Sequence, residues 1–299
     1  MFDIKLKIFF TVASRLNFSK AAEELHITQP AVTRHIKQIE AHFKQQLFDR
    51  KGNSIELTKA GSLLYKHCKV LFVQYDEMQY DMNSLVNRTE GVLRISASTT
   101  LAQYILPTAL AKFHHKFPSI QISMASQNTE RVENAVLKKI VELGFIEGRS
   151  KNREIAYTPF LKDEIVLVVS KGNPLFKKET LSLEELKTIP MVLREQGSGT
   201  LQVVQDALHK VGLQVEDLSV EMHLGSSESI KTYLKHSHSA AFLSINTILK
   251  EIQSGDLFIV DVEKLNIQRY FYYITSQGHH SALSALFINF LEHQYNNML

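Results

Sequence analysis

The sequence predicts two unlike structural units joined by a long helix: a small N-terminal helical unit ending in a β-hairpin, and a larger C-terminal α/β unit. Three observations predict this division. Residues 1–58 contain short amphipathic segments followed by a hairpin pattern, and residues 59–89 have the pattern of one long helix. From Gly91 onward, apolar runs of strand length alternate with helical segments. A chain of 299 residues is long enough for two or three domains.

The N-terminal unit has the pattern of three short helices. The segment Phe9–Ala13 supplies the apolar face of the first helix, and Ser19 is a candidate N-cap for the second. Thr28 is a candidate N-cap for the third helix, and Pro30 falls in its first turn, where the missing N–H is not needed. We therefore expect the third helix to begin at a well-defined position.

The third helix is amphipathic along its length. Apolar side chains on one face would anchor it to the preceding helix; they are Ala31, Val32, Ile36, Ile39 and Phe43. Polar side chains on the other face could enter a DNA major groove, where Gln can pair with adenine and Arg with guanine; they are Gln29, Thr33, Arg34 and Lys37. An ordinary amphipathic surface helix is the alternative interpretation.

A basic hairpin follows these helices. The segment Leu47–Leu57 has the pattern of a strand, a Gly-Asn turn and a returning strand, with Arg50 and Lys51 beside the turn. Cations at the tip of such a wing can reach a DNA backbone or minor groove, although a solvated basic turn would look the same in sequence. Residues 1–69 hold 12 Lys and Arg against 6 Asp and Glu, whereas the remainder holds 22 against 25. A basic end on a mildly acidic body favours a polyanionic partner.

The long helix carries a heptad pattern. Apolar residues recur at alternating spacings of four and three, at Leu64, Cys68, Leu71, Tyr75, Met78, Met82 and Leu85. This period favours pairing with the same helix of a second copy, with Cys68 acting as a small apolar residue of the seam. Packing against its own domain is the alternative. A paired helix would hold two recognition helices at a fixed separation and predicts a pseudo-palindromic DNA site.

Three loops of similar chemistry occur at strand-to-helix junctions of the α/β unit. They are Ser98-Thr99-Thr100, Glu195–Thr200 and Gly225-Ser226-Ser227. In open α/β sheets such loops meet at the carboxyl ends of strands, where N–H and O–H donors can bind an anionic small molecule. The alternative is that Ser, Thr and Gly only cap helices there. The candidate effector-binding residues are Ser98, Thr99, Thr100, Glu147, Arg194, Gly197, Ser198, Thr200, Ser226 and Ser227.

Several classes of function lack support in the sequence. A single cysteine, Cys68, rules out an internal disulfide and a cysteine-based zinc site, and the histidines are not arranged with carboxylates as metal ligands. We find no phosphate-binding glycine motif, no nucleophile elbow and no coherent set of acid, base and nucleophile, so we expect no enzyme. Neither a secretory signal nor an apolar run long enough for a bilayer is present, which favours a cytoplasmic protein.

The N-terminal segment Phe18–Glu40 resembles the signature of LysR-type transcriptional regulators. The segments Leu47–Arg50 and Leu57–Gly61 continue the resemblance in register. It implies a winged helix-turn-helix in which Gln29, Pro30, Thr33 and Arg34 face bases and Arg50 makes the wing contact. With the residues identified above, the expected DNA contacts are Ser19, Thr28, Gln29, Pro30, Thr33, Arg34, Lys37, Arg50 and Lys51.

The C-terminal part is similar to the effector domain of the same family, which implies a type 2 periplasmic-binding-like fold with two α/β lobes and two crossover strands. The expected domains are residues 1–58, 59–89 and 90–299, with lobe one at 91–161 and 269–299 and lobe two at 162–268. The loop segments Ser98–Thr100 and Arg194–Thr200 most resemble the branch that regulates sulfur assimilation or carbon fixation. That resemblance implies an effector such as a sulfur oxyanion or a phosphorylated metabolite.

The expected protein is thus a homo-oligomeric, ligand-controlled DNA-binding regulator, with no cofactor and no membrane partner. Its partners would be double-stranded DNA, a small anionic effector, a second copy of itself in a dimer that can associate into a tetramer, and RNA polymerase. A solute-binding protein that uses the same lobes for transport is the alternative, and the basic N-terminal helices argue against it.

Overall fold

The computed structural model describes residues 4–51, 54–84, 91–148, 152–277 and 281–295. The chain divides into two compact units, Met1–Thr89 and Glu90–Leu299. The N-terminal unit contains α1 (Ile4–Arg15), α2 (Phe18–Glu24), α3 (Gln29–Phe43), β1 (Phe48–Lys51), β2 (Ser54–Leu57) and α4 (Lys59–Ser84). Strands β1 and β2 form the predicted antiparallel hairpin, in which Phe48 pairs with Leu57. Gly52 and Asn53, predicted as its turn, lie outside the described residues.

The core of the N-terminal unit is built from the apolar faces of its three short helices. Phe9 and Val12 of α1 are fully buried, as is Val32 of α3. Ile36 and Ile39 extend the buried face of α3 at the predicted helical spacing. Phe43 was expected on this face as well, but it is 48% exposed because it is the last residue of the helix, beyond the core.

The start of α2 corrects one sequence prediction. Ser19 is not the N-cap: Asn17 has extended backbone geometry, and its side chain accepts a hydrogen bond from the Lys20 N–H. Ser19 is the second residue of the helix and is exposed. Either residue type can cap a helix, and the helix begins earlier because Phe18 packs against the core. The predicted start of α3 is confirmed, since the hydroxyl of Thr28 accepts from the Ala31 N–H.

Helix α4 begins where predicted, but its apolar residues are used differently. The hydroxyl of Thr58 accepts from the Gly61 N–H at 2.9 Å and so caps the helix. Cys68 is fully buried in the core of its own N-terminal unit, and the partly buried Leu64 packs against the same core. Burial raises the pKa of the Cys68 thiol to about 11, consistent with an inert apolar role. Residue Leu85 of the predicted seam lies outside the described residues.

The C-terminal unit alternates strands and helices. It contains β3 (Gly91–Ser98), a π-helical stretch (Leu101–Ile105), α5 (Leu106–Lys116), β4 (Ile120–Gln127), α6 (Thr129–Leu137), β5 (Leu143–Glu147), β6 (Ile155–Ser170), β7 (Thr180–Leu181), α7 (Leu183–Thr188), β8 (Met191–Arg194), α8 (Gly199–Lys210), a 3₁₀ turn (Val215–Asp217), β9 (Val220–Leu224), α9 (Ser227–Leu234), β10 (Ala240–Ser244), α10 (Ile245–Ser254), β11 (Leu257–Val262), β12 (Ile267–Ser276) and α11 (Ala282–Tyr295).

The sheet of this unit has two halves joined by two long strands. Its strand order is β4-β3-β5-β12-β6-β10-β8-β9, and β11 also pairs with β6. Strands β3, β4 and β5 are parallel to one another, and so are β8, β9 and β10. Strands β6 and β12 pair in antiparallel orientation. Ile155 lies opposite Ser276 at one end of the pair and Ile165 lies opposite Ile267 at the other, with one register shift between them. This pair crosses between two lobes, in agreement with the predicted fold class.

Some elements of the C-terminal unit were not predicted from the sequence. The apolar runs at 155–161 and 164–170 form one strand, β6, in which Asp163 between them is buried and paired instead of being solvated. Between Leu243 and Tyr270 the structure has α10 and β11. The apolar residues of α10, Ile245, Ile248 and Ile252, recur at helical spacing, so the sequence did contain a signal for this helix.

Candidate functional site

The exposed face of α3 presents the polar residues predicted for DNA contact. Gln29, Arg34 and Lys37 are exposed, whereas Thr33 is half-buried. The amide of Gln29 donates a hydrogen bond to the Thr33 hydroxyl at 3.2 Å. Together with Pro30, these side chains line one shallow groove along the helix. The opposite face is buried, so only the polar face of α3 is accessible to a DNA major groove.

Contacts with the helical core hold the hairpin beside α3. The Phe48 ring lies 5.5 Å from that of Phe9 and 5.7 Å from that of Phe18. The Glu40 carboxylate accepts from the Leu47 N–H at 2.9 Å, which ties α3 to the strand entrance. A Cβ on Gly61 would lie 2.0 Å from the Leu47 carbonyl oxygen, so α4 can approach the hairpin only with glycine there. Arg50 and Lys51 lie in β1, and their side chains fall outside the described part of the structure.

In the C-terminal unit, hydroxyls from two of the three predicted loops converge on one carboxylate. Ser98 donates to Oε1 of Glu147 at 2.9 Å, and Thr200 donates to Oε2. Thr100 is a third hydroxyl that hydrogen-bonds to Glu147. Glu147 ends β5, the neighbour of β3 in the sheet, and is 1% exposed. The structure thus brings Ser98, Thr100, Glu147 and Thr200 together, as a cluster in which the protein supplies its own anion.

Two buried charges that were not predicted from the sequence complete this cluster. The guanidinium of Arg269 donates to Glu147 at 2.8 Å and to Asp163 at 2.6 Å. Asp163 also accepts from Ser244 at 2.6 Å and from Asn246 at 2.7 Å. Asp163 lies in β6 and Arg269 in β12, so the network connects both crossover strands to the end of β5. A sequence signal existed: both charges occupy positions that strand alternation assigns to a buried face.

The electrostatic balance keeps Glu147 ionised. Burial alone raises its pKa, but the guanidinium groups of Arg269 and Arg194 and the hydroxyls of Thr100 and Thr200 outweigh burial, and the pKa falls to about 2. Arg194 is itself 3% exposed and is paired with Glu195 through Nε at 2.8 Å. The cluster therefore carries fixed charges at neutral pH.

Two of the remaining predicted effector residues cap helices. Ser198 caps α8 by accepting from the Leu201 N–H, and Ser226 caps α9 by accepting from the Ser229 N–H at 3.1 Å, as the capping alternative predicted. Ser227, the first residue of α9, is buried. Gly197 has φ of +80°, and its carbonyl accepts from the Glu130 N–H at 3.2 Å.

Two predicted residues keep unused donors. Within the described residues, Oγ1 of Thr99 and Nη1 of Arg194 are buried and have no hydrogen-bond partner. A buried donor without a partner costs free energy unless a ligand or water satisfies it. Thr99 stands between Ser98 and Thr100 in sequence, and the charge of Arg194 helps to lower the pKa of Glu147.

A second cluster links the π-helical stretch after β3 to helix α9. The Tyr104 hydroxyl donates to the Glu228 carboxylate, and the Lys231 ammonium lies 5.1 Å from the centre of the Tyr104 ring. Lys231 is 4% exposed and pairs with Glu228 at 2.9 Å and Glu251 at 2.7 Å. Burial, followed by the Glu228 contact, raises the pKa of Tyr104. This cluster was not predicted from the sequence.

The described residues contain no group of three or more His, Cys, Asp and Glu side chains that could hold a metal ion. Among the helices described, none is long and apolar enough to cross a membrane.

Comparisons with known proteins cover both units. Residues 5–62 match the family described as bacterial regulatory helix-turn-helix protein, lysR family, and residues 87–296 match the LysR substrate binding domain. The chain is 28% identical over 295 residues to the HTH-type transcriptional regulator CysL of Bacillus subtilis, covering 98% of each chain. It is 30% identical over 288 residues to the HTH-type transcriptional activator CmpR of Synechocystis sp., covering 96% of this chain and 93% of that one.

The C-terminal unit also has a solved relative. The CcmR regulatory domain of Synechocystis, in complex with 2-PG, is 27% identical, with a TM-score of 0.64, covering 70% of this chain and 99% of that chain. The family matches account for the helical N-terminal unit and the two-lobed α/β unit in the order observed here. The chain therefore belongs to the LysR family of transcriptional regulators.

Proposed function

We propose that this regulator binds a specific DNA sequence through the polar face of α3 and that a small anion held between the two α/β lobes controls this binding. One observation carries the DNA part: Gln29, Arg34 and Lys37 project from a helix whose opposite face is buried. Arg can pair bidentately with guanine and Gln with adenine, while Lys37 can neutralise a phosphate. Thr28, Pro30 and Thr33 belong to the same contact surface. Ser19, Arg50 and Lys51 are proposed as flanking contacts.

The effector part rests on buried donors. Thr99 and Arg194 offer hydrogen bonds that no described residue accepts, at strand-to-helix junctions of both halves of the sheet. Anionic ligands are favoured at such places because N–H and O–H dipoles point toward them. The relative CcmR is solved in complex with 2-PG, which supports a small-molecule ligand for this domain. We place lobe one at residues 91–161 and 269–299, and lobe two at residues 162–268.

The proposed working form is a cytoplasmic homo-oligomer. Part of α4 presents apolar side chains to solvent, namely Leu71, Met78 and Met82, which are 42%, 49% and 61% exposed. Pairing of two such helices would hold two copies of α3 at a fixed spacing on DNA. Association of two dimers into a tetramer and contact with RNA polymerase are parts of the same proposal.

Regulation follows from differential binding. An effector changes DNA affinity only if it binds one lobe arrangement more tightly than the other. Residues that lie in different lobes and touch each other, such as Thr200 with Glu147 and Tyr104 with Glu228, would change partners in such a transition. A transporter function is not favoured, because the helix-turn-helix unit has no role in it.

Nuclease protection on the DNA upstream of the chain's own gene tests the proposal. We expect two protected half-sites about one helical turn or a multiple of it apart. Sulfate, sulfite, thiosulfate and sugar phosphates should be added in turn, and at least one should change the protected length or the half-saturation concentration. Uniform, sequence-independent protection at low salt would contradict the DNA part. An unchanged pattern with every anion would contradict the effector part.

A further inference from the structure

Donors from within the protein already occupy the Glu147 carboxylate. A carboxylate offers about four lone-pair sites. Ser98, Thr100, Thr200 and Arg269 all donate to this one, so its sites are filled from within the protein. Three of the hydroxyls predicted to bind an effector are consequently engaged with Glu147.

Three donors remain unused on residues that contact this network, act on it electrostatically or adjoin it in sequence. Oγ1 of Thr99 and Nη1 of Arg194 are buried without a described partner, and Nη2 of Arg269 is in the same condition. Arg194 and Arg269 are both at least nine-tenths buried, at 3% and 5% exposure. These donors are suited to an acceptor group, and an oxyanion supplies several acceptors in a small volume.

The ion pairs that Arg194 and Arg269 make leave one negative charge in excess. Arg194 is paired with Glu195, and Arg269 is shared between Glu147 and Asp163. Two guanidinium groups are therefore matched by three carboxylates. Each negative charge of an incoming anion meets the same unfavourable potential, so a second charge on the ligand doubles the electrostatic cost.

We propose that the effector cleft selects a singly charged anion over a doubly charged one, because the buried Glu147 carboxylate is a resident negative charge in the network that Ser98, Thr200 and Arg269 form around it. This inference rests on the proposed effector function and specifies the ligand class. The selectivity is electrostatic, since the same donors would accept either ligand.

Two tetrahedral probes separate charge from shape. Sulfate carries two negative charges and methanesulfonate one, and neither changes its protonation around neutral pH. Isothermal titration of the full-length chain should give tighter binding of methanesulfonate than of sulfate. Thr99→Ala should weaken the binding of both, which identifies the cleft as the site. Tighter binding of sulfate, or no binding of either probe, would overturn the proposal without the need for any variant.

Glu147→Gln removes the charge and keeps the side-chain size. The repulsion that is removed acts on one charge of a monoanion and on two charges of a dianion. The binding affinity should therefore rise about tenfold for methanesulfonate and about a hundredfold for sulfate. Asp163→Asn is the matched control, since it removes another buried charge from the same guanidinium but leaves Glu147 in place. The control should reduce the preference for methanesulfonate less than Glu147→Gln does. Equal gains for both probes in Glu147→Gln, or a reversal in Asp163→Asn as large as in Glu147→Gln, would overturn the proposal.

Nuclease protection with the same preparations distinguishes the two levels of inference. One result would reject the charge selection but leave the proposed DNA function intact. It is sequence-specific protection of DNA by a chain that binds sulfate more tightly than methanesulfonate and needs Thr99 for that binding. Loss of sequence-specific protection in the wild-type chain would reject the proposed DNA function, whatever the anion results. If Glu147→Gln does not fold, judged by its circular dichroism, the wild-type preference between the two probes decides the matter.

Discussion

Gly199 packs so closely on the backbone of Glu147 that a Cβ atom at this position would lie 2.0 Å from the Glu147 carbonyl oxygen. The same Cβ would lie 2.6 Å from Oγ1 of Thr129. Gly199 begins α8, and the next residue, Thr200, donates to the Glu147 side chain. The start of α8, which follows β8 in one half of the sheet, is thus in contact with the end of β5 in the other half.

Gly199→Ala should therefore destabilise the C-terminal unit. The added methyl meets backbone atoms that cannot move independently, and overpacking of this kind costs about 1–3 kcal/mol. Urea unfolding followed by circular dichroism measures the change. Gly172→Ala is the control, because a Cβ there meets nothing within 4 Å. Equal free energies of unfolding for the two variants would show that α8 can move away from β5 without loss of stability.

Arg269→Met should lower the stability of the protein more than Gly199→Ala does. It leaves the Glu147 and Asp163 carboxylates buried without their common partner, and breaking a buried ion pair in this way costs about 3–5 kcal/mol. The melting temperature of the full-length chain should fall accordingly. Arg131→Met, at an exposed arginine of α6, should leave the melting temperature nearly unchanged. A similar melting temperature for both variants would mean that the network contributes no stability.

The ionisation of Glu147 should appear in acid unfolding. Its folded pKa of about 2 lies below the ordinary value of 4.5, so its contribution to stability is present above pH 4.5 and is lost as the pH falls toward 2. The full loss is on the order of 3 kcal/mol. The unfolding free energy measured across this window should fall less steeply in Glu147→Gln than in the wild-type chain. Parallel curves would mean that Glu147 is not held ionised by its partners.

The sequence was sufficient where a local pattern determines the structure. Thr28 caps α3, Thr58 caps α4, and the apolar alternation marked most strands of the C-terminal unit, because caps and alternation act within a few residues. The exchange of Ser19 for Asn17 as the cap of α2 shows the limit of such patterns, since both side chains can cap and only packing of Phe18 decides between them.

Contacts between distant residues could not be predicted from the sequence in the same way. The three hydroxyls were recognised from their loops, but Glu147 fills their hydrogen-bonding capacity through a contact 49 residues from Ser98 and 53 residues from Thr200. Arg269 reaches Glu147 across 122 residues. A charge at a buried strand position is visible in sequence, whereas the identity of its partner depends on the sheet order.

The exposed methionines of α4 should be required for self-association. Replacing Met78 and Met82 together by Glu places two negative charges on a stripe that would face the identical stripe of a second copy. Sedimentation at micromolar concentration should then show a shift from dimer to monomer. Ser62→Glu, on the opposite side of the same helix near its beginning, should remain dimeric. A double variant that sediments as the wild-type chain does would exclude this stripe as the pairing surface.

Arg34 and Lys37 should affect DNA binding in different ways, although both are exposed on α3. A bidentate arginine–guanine contact is worth about 1–3 kcal/mol of discrimination against the wrong base, so Arg34→Ala should lower the ratio of specific to non-specific affinity by about tenfold or more. Lys37→Ala should weaken binding to all sequences and reduce the slope of log affinity against log salt by about 1, because it releases one phosphate contact. Fluorescence anisotropy with the protected sequence and a scrambled duplex, at several salt concentrations, measures both quantities. Arg131→Ala, in the C-terminal unit, should change neither. If Arg34→Ala altered only the salt slope and preserved sequence preference, Arg34 would be a phosphate contact, and the base reading would belong to Gln29 and Thr33.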